Sequence, residues 1–213
     1  MIKCVIFDMD GVIANTQKYH SITESEVLAQ YGIKISPEEI TQRFSGVNDK
    51  FQFETLFTEN NLPKPNIEEI VTKKWLLIAT IPSIEPIEGV LEMIKTIKEQ
   101  KIPISIASSS PLSFINHVVN SLKIRDLFSN LTSGEEVQNG KPSPDIFILS
   151  SNRMNITDYS NCLVVEDGIS GMQGAKSANM KCLALSENHI DWVDYCTDNF
   201  TKIDIKNILH TTN

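Results

Sequence analysis

Cysteine is scarce in this chain, with four in 213 residues, and no two of them form a Cys-x-x-Cys pair. Cys4, Cys162 and Cys182 sit within or beside apolar runs and read, with Cys196, as small buried hydrophobes of a reducing compartment. No apolar stretch approaches the ~18 residues that span a bilayer. The N-terminus passes from a short apolar run straight to Asp8, unlike a signal peptide. A soluble, cytoplasmic protein without a membrane partner is therefore expected. Basic runs are missing too. The net charge is −8, from 27 acidic and 19 basic residues, and such a surface repels nucleic acid. There are no internal repeats, no low-complexity segments and no sign of an obligate protein partner. Gly-x-Gly-x-x-Gly does not follow the first strand, which argues against a dinucleotide site. Gly168, Gly171 and Gly174 have another spacing and read as close helix-to-sheet packing.

What is present suits a globular enzyme. A hydrophobic fraction of 41% is enough for a sizeable core. Ile2 to Phe7 is short, apolar and rich in β-branched residues, a buried strand that stops at Asp8. Similar runs occur at Ile102 to Ala107, Cys162 to Val165 and Cys182 to Leu185. Helical periodicity separates them, at Val90 to Gln100, Leu112 to Leu122, Pro144 to Asn152 and Gly168 to Ala178. Strands alternating with helices imply a doubly wound, Rossmann-like parallel sheet in an α/β fold. Between Gln17 and Ala79 the alternation stops. Four helical patterns take its place, at Ser21 to Tyr31, Ser36 to Phe44, Asp49 to Asn60 and Ile67 to Ala79. Ser36-Pro37-Glu38-Glu39 is a helix start, with Ser as N-cap and Pro at the first helical position. The expected organisation is an α/β core of residues 1–14 and 85–213 with an all-helical insert of residues 15–84.

Parallel sheets bind ligands at the carboxyl ends of their strands. The first strand ends in Asp8-Met9-Asp10-Gly11, the strand from Ile102 in Ser108-Ser109-Ser110-Pro111, and the strand from Cys162 in Glu166-Asp167-Gly168. A loop before the helix at Pro144 carries Gly140-Lys141-Pro142. Carboxylates gathered on one edge raise each other's pKa unless a cation sits among them. Their hard oxygens suit Mg²⁺ and not Zn²⁺. A magnesium ion would also let an anionic carboxylate attack an anionic phosphate. Ser108 and Lys141 can hold and neutralise phosphoryl oxygens.

This ordered set resembles the haloacid dehalogenase superfamily of phosphatases and phosphomutases. Asp8-Met9-Asp10-Gly11-Val12 is similar to its first motif, Ser108 to its second, Lys141 to its third and Glu166-Asp167 to its fourth. The resemblance implies Asp8 as nucleophile and magnesium ligand. It implies Asp10 as general acid/base, ligating the metal through its backbone carbonyl. Ser108, Ser109 and Lys141 would bind the phosphoryl group. Asp167 would ligate the metal, with Glu166 as a ligand or close behind it. The helical insert is similar to the family's cap domain, which closes over the site. An acid at Asp10 favours a turning-over phosphatase or mutase acting on a small-molecule phosphate ester.

Specificity is expected in the insert. His20 stands where β-phosphoglucomutase-like proteins place a His that assists proton handling. Gly46, in Phe44-Ser45-Gly46-Val47, resembles a loop that screens substrates. The mutase grips its second phosphate with an Arg, where this chain has Asp49, and with a basic residue after the second motif, where it has Pro111. Both differences favour hydrolysis of a monophosphate, a sugar or sugar-acid phosphate by the resemblance, although Lys50, Lys73 or Lys74 could compensate. A β-phosphoglucomutase-like mutase is the alternative. A phospho-accepting signalling module also uses an Asp, Mg²⁺ and Lys-Pro, but its acceptor lies on a later strand and it has no helical insert.

Overall fold

A computed structural model describes residues 1–44, 49–81 and 83–211. The chain divides into two compact units, one of Met1–Asn15 with Ile84–Asn213 and one of Thr16–Ser83.

The first unit is built on a six-stranded parallel sheet: β1 (Cys4–Phe7), β2 (Ile104–Ser108), β3 (Asn130–Ser133), β4 (Cys162–Glu166), β5 (Lys181–Leu185) and β6 (Tyr195–Thr197). The strand order is β3-β2-β1-β4-β5-β6. The chain thus leaves β1 toward one side of the sheet and later returns to its other side. That reversal is the topological switch point, where a crevice opens beyond the strand ends. β1 and β4 are buried along their whole length. Such strands need apolar residues on both faces, which is why Cys-Val-Ile-Phe and Cys-Leu-Val-Val read as runs instead of alternations. Cys4, Ile6, Cys162 and Val164 share one face with Phe147 and Met172. By alternation Asp8 and Glu166 point the same way as Ile6 and Val164.

Helices of this unit are α5 (Val90–Glu99), α6 (Leu112–Ser121), α7 (Asp145–Arg153), α8 (Ile169–Ser177) and α9 (Ile205–His210). In α5 the buried Val90, Met93, Ile94 and Ile97 repeat at helical spacing, and this apolar face commits the segment to a helix on the core. The parallel α/β architecture matches the expectation from sequence. Two strands are additional to it. β3 reads Asn-Leu-Thr-Ser and β6 only Tyr-Cys-Thr, too short and polar for an apolar-run criterion.

The second unit is helical: α1 (Gln17–Ala29), α2 (Pro37–Phe44), α3 (Asp49–Glu59) and α4 (Ile67–Ile78). Ser36 accepts the Glu39 amide at 3.2 Å and so caps α2 at Pro37. Asn66 does the same for α4 through the Glu68 amide. Leu28, Phe53, Leu56, Phe57 and Ile70 form its core. Each such side chain contributes about 1.5–3 kcal/mol when fully buried. α1 begins four residues earlier than expected, at Gln17, because its first turn contains the polar side chains of Lys18 and His20 that mask its periodicity. Among the described residues, no helix is long and apolar enough to cross a membrane.

Candidate active site

Asp8 lies one residue beyond β1, and its amide still donates to the Val165 carbonyl at 2.9 Å. The ladder to β4 therefore holds its backbone rigidly. The chain then turns sharply, with the amides of Ile13 and Ala14 both donating to the Met9 carbonyl. Gly11 takes a φ of +83° in this turn. It is glycine for a second reason as well. A β-carbon there would lie 2.1 Å from Asp167 Oδ2, so the missing side chain is the space the carboxylate occupies.

Lys141 is the hub. Its Nζ donates to Asp8 Oδ1 at 2.5 Å and to Glu166 Oε1 at 2.6 Å, and all three side chains are buried. The Phe147 ring lies beneath the ammonium, 5.1 Å from it. Glu166 is fixed a second time, because Oε2 accepts the Gly168 amide at 2.8 Å. A β-carbon at Gly171 would sit 1.7 Å from Glu166 Oε1. Gly171 therefore makes room for a site carboxylate, a role beyond the helix packing read from sequence.

Charge in this cluster is unbalanced. Asp8 faces Asp10, Glu166 and Asp167 against the single ammonium of Lys141. Burial first, then the charges of Glu166, Asp167 and Asp10, push the Asp8 carboxyl well above the usual range, while Lys141 pulls the other way. Asp167 is exposed as a residue, but its carboxyl is turned toward the other acids. Loss of water and the charge of Glu166 push it up to about 7. Burial alone would lower the pKa of Lys141, and Asp8 and Glu166 together outweigh that and raise it. Burial is the main cause for Asp8 and Asp167, and neighbouring carboxylates raise those two acids and Lys141 alike.

The donor set fits a hard divalent cation. Asp8, Glu166 and Asp167 each offer a carboxylate oxygen, all within 4.8 Å of one another. Asp10 contributes no side chain to that group. Its Oδ2 instead accepts Ser110 Oγ at 2.7 Å and Ser108 Oγ at 3.1 Å.

The structure thus brings Asp8, Asp10, Ser108, Lys141, Glu166 and Asp167 to one sheet edge. Ser109 is exposed beside them, its backbone against Gly134. His20 belongs to the helical unit, on α1, edge-on to Trp75 at 5.3 Å. Gly46 falls outside the described residues. Two contributors were not anticipated: Ser110, hidden in a serine triplet, and Gly171. A Ser-x-Ser ending a strand opposite an Asp-x-Asp was the available signal for the first.

Comparison with known proteins identifies the family. Residues 5–185 match the family model of the haloacid dehalogenase-like hydrolases. The chain belongs to that family. It is an enzyme of the family's phosphatase type. Hexitol phosphatase B of Escherichia coli is 26% identical over 186 residues, covering 86% of this chain and 83% of the relative. A phosphorylated carbohydrates phosphatase of Thermotoga maritima is 29% identical over 186 residues, covering 84% and 83%. In fold, the chain is similar to a crystal structure of β-phosphoglucomutase from Clostridium difficile. The TM-score is 0.83 at 24% identity, over 98% of this chain and 96% of that one.

Proposed function

We propose that this protein is a magnesium-dependent phosphatase that hydrolyses a small phosphorylated carbohydrate through a phosphoaspartyl intermediate on Asp8. The observation that carries the reading is the Lys141 hub, which holds a buried strand-end carboxylate among acids in surplus. Magnesium would be held by Asp8, Asp167 and the Asp10 backbone carbonyl, with Glu166 as a further ligand or a support. When bound, the ion supplies positive charge between nucleophile and phosphate.

The chain's own residues account for the rest. An Asp8 carboxylate oxygen attacks phosphorus, the bond from phosphorus to the ester oxygen breaks, and that oxygen takes a proton from Asp10. Water then attacks the phosphoaspartate and gives a proton to Asp10. The bond to Asp8 breaks, and inorganic phosphate and the carboxylate are restored. Lys141 and Ser108 neutralise and orient the non-bridging oxygens.

Hydrolysis is favoured over mutase transfer by the state of three lysines. Lys74 is buried and paired with Glu24 at 2.5 Å and with Asp49 at 2.6 Å. Lys50 pairs with Glu68 at 2.8 Å, and Lys73 donates to the Tyr31 hydroxyl at 2.8 Å. Each of the candidates to replace the mutase's arginine already has a partner in the helical unit. Hexitol phosphatase B and the phosphorylated carbohydrates phosphatase support the same choice, and a β-phosphoglucomutase among the relatives keeps the mutase as the second reading.

A phosphate-release screen over hexitol phosphates, hexose phosphates, nucleotides and phosphoglycolate tests the proposal. Release from phosphorylated carbohydrates is expected, abolished by a chelator and restored by Mg²⁺. Conversion of β-glucose 1-phosphate to glucose 6-phosphate without free phosphate would support the mutase instead. Turnover that survives chelation would remove the metal from the account.

A further inference from the structure

Asp10 does not stand alone at the end of its turn. Its Oδ2 is the meeting point of two hydroxyls from the loop after β2, Ser110 Oγ at 2.7 Å and Ser108 Oγ at 3.1 Å. These donors differ in one respect. A hydroxyl has one proton to donate. If Ser108 turns its proton to a phosphoryl oxygen, as the proposed function requires, Ser110 still holds Oδ2 of Asp10.

Ser110 is built for that duty. It is buried, and its own backbone is tied at both ends. Its amide donates to Ser108 Oγ at 3.0 Å, and its carbonyl accepts Ser133 Oγ at 2.8 Å. Ser133 is in turn the strand partner of Ser108 and the cap of the short turn that follows β3. Glu135, in that turn, accepts the Leu112 amide at 3.0 Å and so fastens the start of α6. The loop bearing Ser110 is therefore fixed by β2, β3 and α6 together. The polar sequence of β3, which has no role in the phosphoryl site itself, has a use in this arrangement.

We infer that Ser110 is a positioning residue for Asp10, holding one carboxyl oxygen so that the side chain stays aimed at the leaving oxygen when Ser108 is engaged with the phosphoryl group. This rests on the reading of Asp10 as the acid. Leaving a buried acceptor without its donor costs about 5- to 150-fold in rate.

The test uses leaving groups, because an acid matters only when the leaving oxygen needs a proton. kcat/KM reports transfer to Asp8. It is measured with full-length protein and Mg²⁺ on sorbitol 6-phosphate, a poor leaving group, and on p-nitrophenyl phosphate, which departs as a stable anion. For Ser110→Ala, kcat/KM on the sorbitol ester is expected to fall about tenfold or more, and on the nitrophenyl ester less than about threefold. Ser110→Thr is expected to restore most of the loss. Equal falls on both esters, no fall, or no rescue would overturn the inference, since damage to the loop would affect both substrates alike. Asp10→Asn separates the two levels. If it shows the leaving-group dependence and Ser110→Ala does not, the inference alone fails. If Asp10→Asn lacks it, or wild type turns over neither ester, the reading of Asp10 fails as well.

Discussion

Each unit of this protein buries one lysine between two carboxylates, and the two clusters have nearly the same dimensions. In the α/β unit Lys141 meets Asp8 at 2.5 Å and Glu166 at 2.6 Å. In the helical unit Lys74 meets Glu24 at 2.5 Å and Asp49 at 2.6 Å. What surrounds each triad is different. Gln52 donates to Glu24 at 2.9 Å, and the helical triad ends in a neutral amide. Asp10 and Asp167 press on the other triad, and both glycines beside it leave space that carboxylates fill. A buried lysine with two acids is thus a fastening in one place and part of a reactive site in the other. The difference lies in the surplus of negative charge, which protonation or a further cation can offset.

That contrast can be broken by removing each ammonium in turn. Lys141→Ala is expected to lower phosphate release about 100- to 1000-fold, since a charge aimed at the transferred group is lost. Any fall in its melting temperature should be recovered by Mg²⁺, because the ion offsets the same carboxylates. Lys74→Ala is expected to lower stability by about 3–5 kcal/mol in urea unfolding, as its carboxylates are left buried without a partner. Mg²⁺ should not recover that loss. Recovery of both variants, or of neither, would erase the distinction between the clusters. Gly171→Ala sharpens it on a smaller scale. The methyl group must displace Glu166, and the Mg²⁺ concentration for half-maximal activity is expected to rise about tenfold. An unchanged requirement would mean that Glu166 has no bearing on the ion.

Much of the α/β architecture was legible because β1, β4 and β5 carry short apolar runs that end abruptly in polar residues. The ends of β1, β2 and β4 also pointed to Asp8, Asp10, Ser108, Glu166 and Asp167, and the Gly140-Lys141-Pro142 loop pointed to Lys141. Other features depend on tertiary contact and leave little trace in sequence. A lysine in a helix reads as solvated, and nothing near Lys74 in sequence shows that Glu24 and Asp49 enclose it. Gly171 reads as helix packing until the Glu166 side chain is placed. The Ser110 clamp needs two loops 100 residues apart in the chain to meet. β3 and β6 are short edge-side strands with mixed polarity, and pairing rather than composition makes them strands.

The central claim is that Asp8 takes the phosphoryl group. It is tested most directly by phosphate release from Asp8→Asn, beside wild type, with Mg²⁺ present and the fold verified by circular dichroism. The account predicts that release falls below the detection limit while the fold is unchanged. Retention of more than a few percent of wild-type activity would contradict it and assign the nucleophile elsewhere.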